Sequence, residues 1–217
     1  MRRMWLGWIV VFVGCNPETG WPGGTGVGNP GTTKLQTNGA GPTTLDRGVG
    51  TLSTLTASRC TLADAVAEID AEVDLLGTAP YELGGGSWCT LTATFTGPLR
   101  FEGSTSSADP TRGTFELLLE VPAITIDLDA GFTIDRDATV LELGHPGWIP
   151  PDLLGGLEDR THTVVDAGSP AHDPLVSLLV DGSAVFVDAD GDGALAADER
   201  HPVGAGPSWT AEWEDDD

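Results

Sequence analysis

A chain of 217 residues that sets 33 Asp and Glu against 10 Lys and Arg carries a formal net charge of −23. That balance excludes the basic face a nucleic-acid partner needs. It also disfavours direct adhesion to an anionic lipid surface, and it suits divalent cations and high salt.

The chain opens on a basic stretch, Met1-Arg-Arg-Met4, followed by nine apolar residues (5–13), Gly14 and Cys15. Basic, then apolar, then small is the order of a secretory signal, expected here over residues 1–14. The apolar run falls well short of the roughly 20 residues a membrane-spanning helix needs. Phe12-Val-Gly-Cys15 resembles the lipobox of bacterial lipoproteins, with Phe where Leu is favoured. The resemblance implies that Cys15 is lipidated and becomes the mature N-terminus, and that acyl chains hold the protein to a membrane. It also implies an extracytoplasmic place in the cell envelope, at the outer membrane or cell surface. An ordinary secretion signal with an incidental Cys is the alternative.

Residues 16–57 hold 10 Gly, 4 Pro and 10 Thr with almost no large apolar side chains. Such a composition buries too little surface to offset the entropy of ordering it. The lipidated Cys and a flexible linker are therefore expected over 15–57. Its glycines are not a phosphate loop, because no Lys-Ser/Thr pair follows them. Beyond it, residues 58–203 are long enough for one domain with its own core.

Residues 61–76 fit two periods. Leu62, Val66, Ile69, Val73 and Leu76 recur at helical spacing, while Ala67, Ile69, Ala71, Val73 and Leu75 alternate with Glu68, Asp70, Glu72 and Asp74. The strand is favoured for 65–75, with four carboxylates on one solvated face. In 88–96, Leu91, Ala93 and Phe95 alternate with four Thr, a residue suited to strands. Cys89 shares their parity and is expected on the inward face. Gly97-Pro98 interrupts the run, which resumes over 99–102. Phe115, Leu117 and Leu119 share a face. After Pro122 the phase moves to Ile124, Ile126 and Leu128, so a bulge or bend is expected there. Residues 132–134 and 139–143 add two more short strands. With Cys15 carrying lipid, Cys60 and Cys89 remain as a pair, and outside the cytoplasm two Cys default to a disulfide. The fold class expected is mainly β, an antiparallel β-sandwich with one short helix near the C-terminus.

Trp148, in the Pro-rich stretch 145–151, is expected to pack over the end of the core. Asp173-Pro174, then five apolar residues and a Ser, then Gly182, punctuate the helix: Asp as N-cap, Pro at the first position, Gly past the end. The helix leads to a β-branched run, 184–187, and then to Asp188-Ala-Asp-Gly-Asp-Gly-Ala-Leu-Ala-Ala-Asp-Glu199.

This dodecapeptide, 188–199, resembles an EF-hand calcium loop. Carboxylates stand at loop positions 1, 3 and 5 (Asp188, Asp190, Asp192), Gly193 at the sharp turn, Ala194 where a backbone carbonyl binds, and Glu199 where both oxygens bind. The resemblance implies Ca²⁺ held by Asp188, Asp190, Asp192, Ala194 and Glu199, with water serving at Ala196. The flanks depart from the family: a strand-like run precedes the loop, and Pro202 limits any exit helix to about one turn. An isolated, structural calcium loop is the expectation, and an acidic surface turn is the alternative. Residues 204–217 read as an acidic tail, with Trp209 and Trp213 as candidates for docking.

His145, His162, His172 and His201 show no metal-binding spacing. Asp127 and Asp129 lie two apart, as ordinary solvent-side acids on a strand do. Lipobox, Gly/Thr stretch, one disulfide, short strands and terminal loop together resemble uncharacterised bacterial surface lipoproteins, a likeness that carries over no catalytic residue. The function expected is a non-enzymatic, lipid-anchored, monomeric module stabilised by one calcium ion. Its partners would be the membrane through Cys15 and an unidentified protein or glycan. A secreted hydrolase with an acid-lined cleft, or a carbohydrate- or protein-binding module, is the competing expectation.

Overall fold

The computed structural model describes residues 29–37, 43–77, 79–105, 113–130, 132–155 and 160–209. The signal expected over residues 1–14, Cys15, residues 16–28 and 210–217 (with Trp213) lie outside them. Among the described residues two β-sheets enclose one core. The first sheet runs in the order β12 (Gly204–Ala205), β11 (Ala184–Asp188), β9 (Ala138–Leu143), β1 (Gly31–Thr37) and β4 (Tyr81–Leu83). The second runs β10 (His162–Val165), β6 (Thr114–Leu119), β5 (Gly86–Thr105), β2 (Thr43–Arg59) and β3 (Ala65–Asp74). Two further strands, β7 (Ala123–Asp127) and β8 (Thr133–Ile134), pair with β5.

The fold is thus mainly β and sandwich-like, with one α-helix among the described residues, α1 (His172–Asp181). Most ladders are antiparallel. Two are parallel, β1 with β9 and β10 with β6. The strands of each pair are far apart in sequence, so the chain has room for the crossover that parallel pairing requires.

The linker expected over 15–57 does not extend to residue 57. Gly31–Thr37 sits between β9 and β4, and Thr43–Arg59 lies between β5 and β3. Leu35, Leu52 and Leu55, from that same stretch, are fully buried in the core. Composition misled because Thr is a good strand former and because two of the glycines are there for close approach. A Cβ on Gly50 would stand 2.4 Å from the Leu99 side chain, and one on Gly48 would stand 3.2 Å from the Phe101 ring. Both glycines make room for large side chains of β5, Gly48 for Phe101 directly opposite and Gly50 for Leu99 at a register shift.

Residues 65–74 are a strand, the favoured reading, because the edge of β2 gives their backbone groups an antiparallel partner. Glu68, Asp70, Glu72 and Asp74 are all exposed, and charge along an edge strand discourages pairing with other chains. On the other side of β2, β6 and β7 run end to end along β5. Leu119 faces Leu99 and Ala123 faces Thr94, leaving three residues on one strand against four on the other. The irregularity falls at Pro122 and at Gly97, whose φ is +76°. This is the phase change anticipated in the sequence, and it keeps Phe115, Leu117, Leu119, Ile124 and Ile126 all in the core.

Cys60 and Cys89 form a disulfide with Cα atoms 5.1 Å apart. Cys89 is exposed, not inward. Arg59 faces Trp88 and Ser58 faces Thr90, so Cys89 is the extra residue of a bulge that breaks parity between Leu91 and itself. Trp88 turns inward in its place, 1% exposed, and its Nε1 donates to the Gly84 carbonyl at 3.1 Å.

Trp148 closes one end of the core. It is fully buried, meets Phe101 edge-on with centroids 5.2 Å apart, and donates from Nε1 to Thr37 Oγ1 at 3.2 Å. The helix begins two residues earlier than its punctuation suggests. Ala171 is the N-cap with no side-chain hydrogen bond, while Asp173 lies inside the first turn and bonds His172 Nδ1 at 2.8 Å. His172 Nε2 in turn accepts the Glu120 N–H at 3.2 Å, a tertiary tie that fixes where the helix starts. Leu175 and Leu179 then fill the core.

Candidate metal loop

Strand β11 is flanked on both sides, and its register against β9 sets Asp188 beside Ala138. Asp188 is therefore an end-of-strand carboxylate, 4% exposed. It accepts the Gly191 N–H at 2.7 Å and the Gly193 N–H at 2.8 Å, which bends the chain back on itself. Asp190 accepts the Asp192 N–H at 3.0 Å and Asp192 accepts the Ala194 N–H at 2.7 Å. These are side-chain turns of the kind short acids form with the amide two residues on. Gly191 and Gly193 have φ of +73° and +82°, a region that strains any residue bearing a Cβ. The alternation Asp-Gly-Asp-Gly thus supplies acids and left-handed corners in turn.

Ligating oxygens of Asp188, Asp190 and Asp192 all lie within 4.8 Å of one another. Two oxygens bound to one Ca²⁺ at about 2.3–2.6 Å each can stand no farther apart than roughly 4.6–5.2 Å, so the spacing fits a single ion. An all-oxygen donor set also suits hard cations over zinc or copper. Glu199 does not converge with these three. One of its oxygens accepts the Ala189 N–H at 2.7 Å and the other the Ala196 N–H at 2.9 Å, so it clasps the two ends of the loop together. The amides of Ala196 and Ala189 hold its carboxyl below the ordinary Glu range. Glu199 ends a short 3-10 helix, Ala197–Glu199. Strand β11 leads into the loop, and that 3-10 helix is its last turn. Ala194 and Ala196 are both exposed, with their N–H groups held by Asp192 and Glu199.

Three residues outside the dodecapeptide belong to this site. Lys34, the chain's one lysine, reaches from β1 and donates from Nζ to the Gly193 carbonyl at 2.6 Å. Arg200, next after Glu199, approaches Glu142 of β9 at 3.7 Å. Glu142 is 2% exposed and accepts a hydrogen bond from Gln36 Nε2 at 3.3 Å. Burial pushes its carboxyl above the ordinary Glu range, opposed by Arg200 and Gln36. Lys34 and Glu142 have no local sequence signal that ties them to the loop, because they meet it only through sheet register. A cavity of about 220 Å³ lies between loop and sheet, bordered by Thr32, Lys34, Pro80, Asp188, Asp192 and Gly193 among others.

The face of the first sheet beneath the loop is itself partly apolar. Val140, Ala184 and Phe186 are buried yet stand outside the main core, which takes their strand neighbours Leu141, Leu143 and Val185. The chain after the loop returns to this part of the sheet. The Val203 N–H donates to the Val185 carbonyl at 2.8 Å, β12 pairs with β11, and Trp209 meets Phe186 edge-on at 6.0 Å. Residues 204–209 are therefore held to the fold and are not part of a free tail.

The remaining candidates stay local. His162 Nδ1 meets Thr114 Oγ1 at 3.0 Å and His145 Nδ1 meets the Pro146 carbonyl at 2.7 Å. Asp127 and Asp129 are exposed. Among the described residues, the loop acids are the sole group of three or more His, Cys, Asp or Glu close enough for one ion. Comparison of the chain with family models, curated proteins and solved structures finds no match.

Proposed function

We propose that this chain is a lipid-anchored, extracytoplasmic module whose sandwich is stabilised by one calcium ion in the 188–199 loop. The observation that carries the calcium reading is the convergence of Asp188, Asp190 and Asp192 within 4.8 Å at the end of a buried strand. Two positive-φ glycines and the Glu199 clasp fix the backbone that presents them. On this reading Asp188, Asp190 and Asp192 supply side-chain oxygens, Ala194 its carbonyl, and Glu199 leaves its amide donors to complete the set. The ion's role is to neutralise three crowded carboxylates and so to favour the folded loop by mass action. An affinity on the order of 10⁻⁴–10⁻³ M, usual for extracellular modules, is expected. Anchoring through Cys15 rests on the lipobox-like Phe12-Val-Gly-Cys15, and the exposed Cys60–Cys89 disulfide is consistent with an oxidising compartment. The module is read as structural or adhesive and not catalytic.

Calorimetric titration of the full chain with Ca²⁺ tests the site. One saturable event, abolished in Asp188→Ala, is expected; no heat up to several millimolar, by the affinity range above, would remove the calcium reading. Membrane fractionation of Cys15→Ser tests the anchor separately, with release into the soluble fraction as the expected outcome.

A further inference from the structure

We propose that the loop end of the sandwich docks on the membrane to which Cys15 holds the chain, with the loop cation and Lys34 together binding the phosphate of an anionic phospholipid headgroup. This rests on both the calcium and the anchor readings above, and it adds the partner of the site and the orientation of the domain.

The chain enters the fold at the loop end. Strand β1 pairs with β9 so that Thr32 faces Ala138, and β11 pairs with β9 so that Asp188 faces Ala138. Thr32, Ala138 and Asp188 therefore stand abreast, at the start of β1 and the end of β11. Asn29 is fixed at the same end, its backbone N–H and its side-chain amide donating to Asp135 Oδ1 at 3.0 Å and 2.6 Å. An anchor at Cys15 thus pulls on the end that carries the loop. Residues 16–30 separate Cys15 from Gly31, and a chain of that length spans no more than about 55 Å. Because β1 begins at Gly31, these residues set the reach, and not the whole stretch to residue 57.

A space for one phosphate lies at the same end. The cavity of about 220 Å³ is bordered by Thr32, Lys34, Asp188, Asp192 and Gly193, so the entry of the chain, an ammonium and two loop acids surround it together. Its volume is below that of drug-sized ligand pockets and sufficient for a small group. Lys34 Nζ gives one donor to the Gly193 carbonyl at 2.6 Å, and lysine binds phosphate as a point charge. Ca²⁺ takes about six to eight oxygens. Ala196 has no side-chain oxygen to offer at its place in the loop, so a phosphate oxygen can replace the water there. Charge makes the docking conditional. A chain of net charge −23 is repelled as a whole by an anionic surface. The metal-free loop end is no exception, with oxygens of Asp188, Asp190 and Asp192 within 4.8 Å of one another. The cation reverses that locally, so docking requires calcium, and by linkage the anionic surface tightens calcium binding by the same factor.

The test places the lipidated full chain in vesicles of phosphatidylcholine, alone or mixed with phosphatidylglycerol, and follows amide hydrogen exchange of residues 189–199 as Ca²⁺ is raised. The calcium midpoint for protection of this peptide is expected to be roughly tenfold lower with phosphatidylglycerol present. Lys34→Met is expected to lose most of that shift and Lys34→Arg to keep it. Equal midpoints on the two kinds of vesicle would overturn the docking. A shift of the same size in Lys34→Met would overturn it too, because accumulation of Ca²⁺ at an anionic surface needs no pocket. The two underlying readings fail separately. No calcium heat from Cys15→Ser in solution would remove the cation and the docking with it. Failure of the full chain to sediment with phosphatidylcholine vesicles in chelator would remove the anchor and the docking with it.

Discussion

The two faces of the first sheet are buried by different means. Its inner face contributes Leu35, Leu141, Leu143 and Val185 to a core closed by the long strands of the second sheet. Its outer face buries Val140, Ala184 and Phe186 near chain held by the Lys34 and Arg200 side chains, the β12 ladder, backbone bonds from Val203, Gly206 and Ser208, and the Trp209 edge. The inner face is cemented by interlocked hydrophobic packing, which has no off state short of unfolding. The outer face also carries charged groups beside an acidic loop, Lys34 on the Gly193 carbonyl and Arg200 near Glu142, and such contacts respond to ions and pH. A fold that keeps its responsive parts off its main core can change one without endangering the other.

Deletions separate the two faces most sharply. Removing residues 1–57 takes away β1 and β2, and β2 pairs with both β3 and β5, so no cooperative thermal transition is expected. Ending the chain at Asp188 removes the loop and β12 and is expected to leave a cooperative transition at a lower Tm; loss of the transition would make residues 189–209 part of the same cooperative unit. Phe101→Ala, which empties a fully buried site against Trp148, is expected to cost about 3–5 kcal/mol in denaturant unfolding.

The disulfide follows. Replacing both Cys60 and Cys89 with Ser opens a loop with a sequence separation of 29 and is expected to cost roughly 3–4 kcal/mol on the chain-entropy account. Phe186→Ala is expected to cost less than Phe101→Ala, about 2 kcal/mol, because Phe186 stands outside the main core and Trp209 beside it can settle into the space.

The smallest effects are those of pH. Burial raises the Glu142 carboxyl, with Arg200 and Gln36 opposing. A raised carboxyl means the folded state holds its proton longer than the unfolded chain, so this group's contribution falls as pH rises from the ordinary Glu value through its folded value. Glu142→Gln should flatten that part of the stability–pH curve. Glu199 has the opposite sign: with its carboxyl held low by the Ala196 and Ala189 amides, its clasp contributes above the ordinary Glu value and is lost as pH falls through its folded value. Chemical denaturation across the acid range distinguishes the two.

Much of this was legible locally. Alternation in 88–96 and 114–119, the phase change at Pro122 and the burial of Trp148 follow from side-chain size and the two-residue period of a strand, which need no knowledge of the partner. The acidic loop was legible because acids and left-handed glycines recur at fixed spacing within twelve residues. Two errors share a cause. Residues 31–57 looked like a linker because threonine and glycine bury little by themselves, and Cys89 was assigned to the wrong face because a bulge lies in the pairing with β2. Each depends on what stands opposite.

By itself, then, the sequence determined the β character of the chain, the Cys60–Cys89 pair and the acids of the loop, since these are set by composition and near-neighbour spacing. Only the tertiary structure decided that Gly31–Thr37 and Thr43–Arg59 are strands within the two sheets, that Lys34 meets Gly193 across 159 residues, and that Arg200 finds a buried Glu142. Those facts are matters of register between strands, and register is fixed when two faces are buried together, not by either strand alone.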